Sequence, residues 1–410
     1  MARIKITASQ TVEANILLPS SKSICNRALI INALAGGNYI PENLSDCDDT
    51  SVMIRALRDM PETIDIMAAG TAMRFLTAFL AVNQGTHVIT GTTRMKQRPI
   101  GLLVNALRAL GAQIEYMEKE GFPPLRITGH KLTGTEISLP GDVSSQYISA
   151  LLMIGPTLEN GLSITLKGQI ISRPYIDLTL QLMNLFGAKT KWDGTNRLLV
   201  SPQAYKPIPF YVESDWSAAS YWYEISALAE SATIHLPGLF ENSFQGDAEV
   251  SRLFQRLGVE TTYSNKSVTI RKAGKREKKF EYDFVNQPDL AQTFVVTCCL
   301  MDVPFRFSGL QSLRIKETDR MAALITEMGK LGYQLRESND SILSWDGERC
   351  EPLPNPTIDT YEDHRMAMAF APAAIKLGTL SINNPQVVSK SYPHFWDDMI
   401  SAGFKIEEDI

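Results

Sequence analysis

The chain has few of the residues that build metal centres. Its 410 residues include five cysteines and five histidines; no two cysteines form a CxxC pair, and no cluster has the spacing of a zinc site. Cys298 and Cys299 are adjacent inside an apolar run, so we expect reduced and mostly buried thiols. The sequence therefore predicts no metal site.

The sequence also lacks a long apolar segment and an excess of positive charge. No apolar run reaches the roughly 18 residues that span a bilayer, and the start, MARIKITASQTVEANI, has no secretory apolar core. The formal net charge is −5, whereas nucleic-acid backbones bind broad basic surfaces. We expect a cytoplasmic monomer that binds neither membrane nor nucleic acid, in which any basic cleft is local.

What is present is the composition of a two-domain globular protein. Hydrophobic residues make up 44% and charged residues 21% of the chain, and 410 residues exceed what one core usually serves. In IPFYVESDWSAASYWY, a predicted apolar strand runs into residues 213–215 and a new helix. We place one domain at residues 19–213 and the other at 1–18 plus 214–410, with hinges near 13–20 and 211–217.

A repeated unit organises the chain. Five amphipathic segments end in a glycine followed by an extended stretch, a polar turn and another extended stretch, and these glycines lie 71 to 76 residues apart. They are Gly111, Gly187, Gly258, Gly332 and Gly403. Glycine suits the left-handed position after a helix, so each is predicted to end one helix of an α/β repeat.

The first repeat is predicted to be short. Its helix, MIRALRDMPETIDI, has Pro61 where the others have glycine, and Pro61 lies only 50 residues before Gly111. About 20–25 residues, roughly one hairpin, are therefore missing relative to the other units. The predicted fold is α/β, with two halves of three βαβαββ-like repeats and the first repeat truncated.

Seven regions place cations or hydroxyls where a strand gives way to a helix. They are PSSKSICNR, AAGTAMR, GTTRMKQRP, PGDVSSQY with ISRPYID, RIKETDR, EDHRM and VVSKSYP. Helix N-termini expose unpaired N–H groups and a positive dipole end, which favour anions. Each region alone also fits a capped surface helix with solvated charges. Together they predict a positive cleft between the halves, at the end of the layers where helices begin.

Three of these regions carry specific structural expectations. We expect Lys22 near the start of a helix, with Arg27 on the same helical face. Pro99 is expected to begin a helix after a mobile cationic loop. Lys316 and Arg320 read as like charges four residues apart on a helix, which an ion pair between Glu317 and Arg320 would offset.

The strings PSSKSICNRAL, SDCDDT, AGTAMR, RMKQRPIG, GDVSSQY, SRPYID, PDLAQT, RIKETDR, DHRMAM and VSKSYP occur in the order seen in the 5-enolpyruvylshikimate-3-phosphate synthase family. The chain resembles that family nearly end to end. The resemblance implies a two-domain inside-out α/β barrel. It also implies transfer of the enolpyruvyl group of phosphoenolpyruvate to the 5-hydroxyl of shikimate 3-phosphate, with release of phosphate and no metal or organic cofactor.

The resemblance also implies roles for individual residues. Those implied for shikimate 3-phosphate are Lys22, Ser23, Arg27, Ser144, Ser145, Gln146, Ser172, Tyr175, Asp289, Ser312 and Lys316. Those implied for phosphoenolpyruvate are Lys22, Gly70, Arg98, Gln146, Arg320, Arg365 and Lys390. Asp289 is the expected base for the hydroxyl proton, and Lys22 and Glu317 compete as the acid that protonates C3.

The sequence departs from the family pattern at Ser20, Ala68 and Ser312, where Gly, Asn and Asn are usual, and in the short first repeat.

Three other functions stay open. A related enolpyruvyl transferase acts on UDP-N-acetylglucosamine but has a cysteine about where Thr93 stands. An RNA-end-processing protein with a similar repeat is disfavoured by the lack of a broad basic surface. A catalytically impaired anion-binding homologue is compatible with Ala68 and Ser312.

Overall fold

The structure, a computed structural model, describes residues 2–37 and 40–409. The chain forms two compact units and passes between them twice, at Pro19/Ser20 and at Glu213/Ser214. Residues 20–213 form one unit, and the segments on either side of them form the other. No helix in the described part of the chain is long and apolar enough to cross a membrane.

Twenty strands lie within the described residues. They are β1 Arg3–Thr7, β2 Thr11–Asn15, β3 Thr63–Asp65, β4 Gly85–Thr90, β5 Gln113–Tyr116, β6 Leu125–Gly129, β7 Glu136–Pro140, β8 Leu162–Lys167, β9 Thr190–Asp193, β10 Arg197–Val200, β11 Ser231–Pro237, β12 Val259–Ser264, β13 Ser267–Lys272, β14 Phe280–Asp283, β15 Phe305–Ser308, β16 Arg336–Ser338, β17 Ile342–Trp345, β18 Thr357–Ile358, β19 Thr379–Asn383 and β20 Lys405–Glu408.

Fourteen α-helices lie between them in the same described ranges. They are α1 Lys22–Leu34, α2 Asp48–Asp59, α3 Gly70–Val82, α4 Thr93–Lys96, α5 Gly101–Ala109, α6 Ser145–Ile154, α7 Arg173–Leu185, α8 Trp216–Leu228, α9 Val250–Gln255, α10 Ala291–Leu300, α11 Arg320–Lys330, α12 His364–Phe370, α13 Ala374–Leu377 and α14 Phe395–Ser401.

The strands of the described chain form five four-stranded sheets with one shared topology. The orders are β3-β4-β6-β5, β7-β8-β10-β9, β2-β11-β13-β12, β14-β15-β17-β16 and β18-β19-β1-β20. In each sheet the first pair is parallel and the other two pairs are antiparallel. Three of the sheets, those that begin with β3, β7 and β14, each come from one contiguous βαβαββ repeat, as predicted. The other two each take one strand, β2 or β1, from the N-terminal segment.

The helices form the interior of each unit. Every residue of α10 and α12 is buried, and so are all of α8 except Ser217 and all of α3 except its last residue. Strands such as β7 instead alternate between buried and exposed positions. Alternation is typical of sheets with one face on a core. Helices inside and sheets outside are the inside-out arrangement.

The first repeat has lost more than the predicted hairpin. It retains α1 and α2, but its described residues form no strand and only single bridge residues, at Ser20 and at Glu42, the second of which pairs with Tyr211. The deficit is therefore a whole sheet. The left-handed residue after α2 is Met60, with φ of 40°, one position before the expected Pro61.

The other helix ends follow the prediction. Gly111, Gly187, Gly258, Gly332 and Gly403 have φ between 85° and 105°, a region that costs a residue with a Cβ atom energy. Four of the five cysteines are buried and all are free thiols, as expected.

Two local predictions were wrong. The segment before Glu213 is not a strand apart from the bridge at Tyr211, because Pro207 and Pro209 remove two of the N–H donors that a strand needs. Pro99 does not begin a helix either. The short helix α4 precedes it, and α5 begins two residues after it.

Candidate active site

In the unit of residues 20–213, Lys22 lies at a helix start. It is the first residue of α1, as predicted, and follows a turn broken by Pro19. Its Nζ lies 3.3 Å from Oδ2 of Asp49, whose side chain is 4% exposed. The ion pair therefore links the starts of α1 and α2 and holds the lysine in place.

Arg27 is buried and surrounded by neutral acceptors. Its Nε donates to Oγ1 of Thr179 at 2.7 Å, and Nη1 donates to the carbonyl of Ser23 at 2.8 Å. Nη2 donates to Oγ of Ser149 at 3.2 Å and to the carbonyl of Tyr175 at 3.3 Å. Burial lowers the pKa of Arg27 to about 10. These bonds join α1 to α6 and α7, so a single cation ties three helices together.

Gly70 lies where two guanidinium groups crowd a helix start. A Cβ atom at this position would lie 2.6 Å from Nη1 of Arg74 and 2.7 Å from Nη1 of Arg98. The Arg74 Nη1 also donates to the Gly70 carbonyl at 2.7 Å. Only glycine allows both arginines to lie against the first turn of α3, which is an anion-binding arrangement.

The start of α6 lies against this arginine pair. Nε2 of Gln146 donates to Oγ1 of Thr71 at 3.0 Å, and its N–H donates to Oγ of Ser144 at 3.4 Å. The Tyr147 hydroxyl donates to the carbonyl of Pro99 at 2.5 Å. Three predicted substrate regions, at α3, at the Arg98 loop and at α6, are thus in direct contact.

The start of α7 has an unusual backbone. Ser172, buried and directly before α7, has φ of 54°, and its hydroxyl makes no capping bond in the described structure. A left-handed serine carries strain, which often marks a ligand-binding position. The nearby Tyr175 contacts Arg27 through its carbonyl, and Ser145 is buried at the start of α6.

In the other unit, Arg320 is the centre of a second cluster. It is 1% exposed and donates to three carboxylates. Nε reaches Oδ2 of Asp363 at 2.7 Å, Nη1 reaches Oδ1 of Asp289 at 3.1 Å, and Nη2 reaches Oε2 of Glu317 at 3.0 Å. Two of these are the predicted proton-transfer carboxylates, which the structure therefore brings together.

Three further cations share those carboxylates. Asp289 lies 3.3 Å from Lys316 Nζ and 3.1 Å from Arg365 Nη2, and Glu317 lies 2.6 Å from Lys390 Nζ. The cluster thus sets four cations against three carboxylates. Its net positive charge suits an anion, and its carboxylates suit proton transfer.

The cations decide the charge of Asp289. Burial by itself would raise the pKa of this carboxyl, but the charges of Arg365, Lys316 and Arg320 outweigh burial and hold the pKa well below its usual value. Burial lowers the pKa of Lys316, and Asp289 offsets part of that effect. The Asp289 carboxyl is therefore ionised.

Some predicted features of this region differ in the structure. Lys316 lies between the 3-10 helix Gln311–Ile315 and α11, so it is not on a helical face with Arg320. The predicted ion pair between Glu317 and Arg320 is present. Ser312 is half-buried and, among the described residues, makes no side-chain hydrogen bond to the cluster. In the cationic loop of the other unit, Lys96 pairs with Glu118 at 2.6 Å.

Sequence reasoning missed several acidic residues. Asp49 lies in the motif SDCDDT and Asp363 in the motif DHRMAM, but neither motif shows which cation its aspartate contacts. Asp247 lies in none of the motifs. It accepts a hydrogen bond from Ser217, and burial together with the charge of Asp289 raises its pKa to about 6. The described residues include no group of three or more His, Cys, Asp or Glu arranged to hold a metal ion.

Known proteins identify the fold and the family. Residues 6–66 and 60–399 match the sequence family described as EPSP synthase (3-phosphoshikimate 1-carboxyvinyltransferase). A curated protein with the latter name from Bacteroides fragilis is 63% identical over 405 residues, covering 99% of both chains. One from Vibrio cholerae is 35% identical over 425 aligned positions, covering 97% of this chain and 98% of its own.

That alignment is longer than the 410-residue chain, so the Vibrio relative carries residues that this chain lacks. A solved EPSP synthase from Acinetobacter baumannii is 22% identical, with a TM-score of 0.78 over 100% of both chains. This likeness confirms the predicted two-domain inside-out α/β fold. The chain therefore belongs to the EPSP synthase (3-phosphoshikimate 1-carboxyvinyltransferase) family.

Proposed function

We propose that this protein transfers the enolpyruvyl group of phosphoenolpyruvate to the 5-hydroxyl of shikimate 3-phosphate and releases phosphate, a step of the shikimate pathway to aromatic amino acids. The observation that carries the proposal is the Arg320 cluster. There an ionised aspartate lies among cations that suit a doubly anionic substrate. The 63% identity to a curated enzyme of this name over 99% of both chains supports the same activity.

The cluster around Gly70 and α6 suits the binding of phosphorylated groups. Arg27 offers a buried charge with neutral partners only, so an anionic ligand adds the counter-charge that it lacks. We assign shikimate 3-phosphate to Lys22, Ser23, Arg27, Ser144, Ser145, Gln146, Ser172, Tyr175, Asp289, Ser312 and Lys316.

Phosphoenolpyruvate carries a carboxylate and a phosphate, and arginine forks recognise both. We assign it to Lys22, Gly70, Arg98, Gln146, Arg320, Arg365 and Lys390. Three of these cations, Arg320, Arg365 and Lys390, form ion pairs with Asp289 or Glu317. The substrate must therefore share or replace those carboxylates.

Substrate binding changes the proton chemistry of the cluster. As the phosphoenolpyruvate charges compensate Arg320 and Arg365, the cations that depress the pKa of Asp289 are neutralised, so that pKa rises toward the working pH. Asp289 then accepts the hydroxyl proton as the oxygen attacks C2. Lys22 or Glu317 protonates C3; the adduct next loses a methyl proton and phosphate, which restores the double bond.

Further properties are part of the same proposal. We assign hinges to residues 13–20 and 211–217, which include both passages of the chain between the units. The protein acts in the cytoplasm as a monomer, without metal or organic cofactor.

The decisive experiment measures phosphate release by the purified chain with both substrates at about 1 mM, the upper end of usual KM values. We expect release only when both are present, together with an enolpyruvyl ether detected by mass spectrometry. Replacing shikimate 3-phosphate with UDP-N-acetylglucosamine should give no product. No phosphate release would refute the proposed activity and favour an impaired anion-binding homologue.

A further inference from the structure

The third carboxylate on Arg320 belongs to a residue that neither of the substrate assignments includes. Asp363 is fully buried, with 0% of its surface exposed. Its Oδ2 accepts from Arg320 Nε at 2.7 Å, and its Oδ1 accepts from Arg320 Nη2 at 3.3 Å. Both of its oxygens therefore grip one edge of the guanidinium plane.

The same carboxylate also holds the start of the next helix of the cluster. Oδ1 of Asp363 accepts from the backbone N–H of Arg365 at 2.9 Å, which caps α12. The Asp363 N–H in turn donates to the carbonyl of Thr360 at 2.8 Å. One side chain thus fixes the arginine that begins α11 and the backbone that carries the arginine of α12.

Asp363 differs from the two carboxylates beside it. The side chains of Asp289 and Glu317 are 19% and 16% exposed and each has further cation partners, whereas the Asp363 side chain is 0% exposed and takes the inner edge of Arg320. An anionic ligand that displaces the outer carboxylates would leave this inner contact in place.

We infer that Asp363 is a positioning residue for phosphoenolpyruvate binding, which orients Arg320 and Arg365 as a fixed pair of anion-binding forks. The inference rests on the proposed function. Orientation matters because bidentate recognition of an anion by arginine depends on the plane of the guanidinium. Small misplacements of binding groups also lower rates strongly.

The test is the Asp363→Asn variant, because asparagine retains an oxygen that can cap α12 but loses the charged grip on Arg320. We expect the KM for phosphoenolpyruvate to rise about tenfold or more, with the KM for shikimate 3-phosphate within about twofold of wild type. If Asp363 were only a counter-charge, the KM for phosphoenolpyruvate should fall instead, because removing a negative charge would tighten the binding of an anion. An unchanged or lower KM for phosphoenolpyruvate therefore overturns the inference.

Asp319→Asn is the matched control. Asp319 caps α11 through Ala322 N–H at 3.1 Å and pairs with Arg314 at 2.8 Å, outside the cluster. It lies one position from Arg320, so it tests whether any loss of a helix-capping charge here affects substrate binding. We expect both KM values within about twofold of wild type; a tenfold rise for phosphoenolpyruvate would make the Asp363 effect non-specific and overturn the inference.

A second variant covers the case in which Asp363→Asn does not fold. Asp363→Glu keeps the charge but moves the carboxylate by one methylene, so a positioning role again predicts a raised KM for phosphoenolpyruvate. Normal values for this variant would overturn the inference. Calorimetric titration with phosphoenolpyruvate separates the two proposals. An inactive wild type refutes the proposed function, whereas an unchanged dissociation constant in the Asp363 variants refutes the positioning role.

Discussion

Arg27 and Arg320 are both buried, yet their surroundings differ in kind. Every hydrogen bond of Arg27 goes to a hydroxyl or a carbonyl, and burial lowers its pKa to about 10. Arg320 contacts three carboxylates, whose charges outweigh burial and raise its pKa. One unit thus holds its central cation with neutral groups and the other with charges.

The difference shows two ways of preparing for an anion. A buried arginine with neutral partners is a costly charge that a ligand compensates. A buried arginine among carboxylates is already compensated, so under the proposed mechanism a ligand exchanges with them and thereby changes the pKa of Asp289. We expect the first arrangement to favour binding and the second to favour chemistry.

The largest expected effect is on turnover and comes from the charged cluster. Asp289→Asn removes the proposed base while keeping the size of the side chain. We expect kcat to fall on the order of 1,000-fold, with both substrates still bound in calorimetric titrations. Near-normal kcat would remove Asp289 from the mechanism and with it the distinction between the two clusters.

The next effect is on stability and has a different size in the two units. Arg320→Met leaves three buried or half-buried carboxylates facing one another, so we expect a loss of about 3 kcal/mol or more in the free energy of unfolding. Arg27→Met removes a buried charge from neutral partners, and Thr179 keeps its bonds to Ser149 and the Tyr175 carbonyl. We expect a change within about 1 kcal/mol.

Urea unfolding of both variants without substrates measures this difference. Equal losses in the two would show that the partners of a buried arginine do not decide its contribution. The Arg27 variant should nevertheless bind shikimate 3-phosphate poorly, which separates a folding role from a binding role.

The smallest effect concerns a buried carboxyl that has no cation beside it. Glu224, in the middle of α8, is fully buried; burial raises its pKa well above the usual value, and the nearby Thr297 hydroxyl offsets only part of this. Because the folded pKa is the higher one, full stability is present below about pH 4.5 and declines as pH rises toward the folded pKa, by up to about 1.4 kcal/mol per pH unit.

Glu224→Gln should abolish that decline. The free energy of unfolding of the variant should therefore exceed that of wild type by about 1–3 kcal/mol between pH 5 and pH 7.5. Glu230→Gln, at an exposed position just beyond the same helix, is the control and should follow the wild-type pH dependence. If the free energy of unfolding depended on pH in the same way for wild type and Glu224→Gln, burial without a counter-charge would not keep this carboxyl neutral.

Local chemistry made much of the fold predictable. Gly187 and Gly258 end helices because left-handed backbone favours glycine, and Lys22 begins α1 because a broken strand precedes an apolar periodic segment. Pairings between distant segments were not predictable in this way. Asp363 and Arg320 are 43 positions apart, and nothing in either local sequence specifies that they meet.

The first repeat shows the same limit. Counting residues revealed a deficit, but a strand forms only if it finds partners. Without the two antiparallel strands of the missing hairpin, the segment near Glu42 has no strand to pair with and forms only the bridge to Tyr211. The sheet of the first repeat is therefore absent from the described residues. The number of missing residues therefore predicts the loss of two strands, whereas the loss of those strands also prevents the remaining segments from forming strands.

The placement of β1 has a consequence for the order of events during synthesis. β1 lies between β19 and β20. Arg3–Thr7 therefore cannot form its strand pairs until the ribosome has made the chain beyond Thr379. At about 5–20 residues per second the ribosome needs roughly half a minute to make the intervening chain. Residues 20–213 are contiguous and can fold during that interval, while β1 remains an unpaired strand that chaperones have reason to cover.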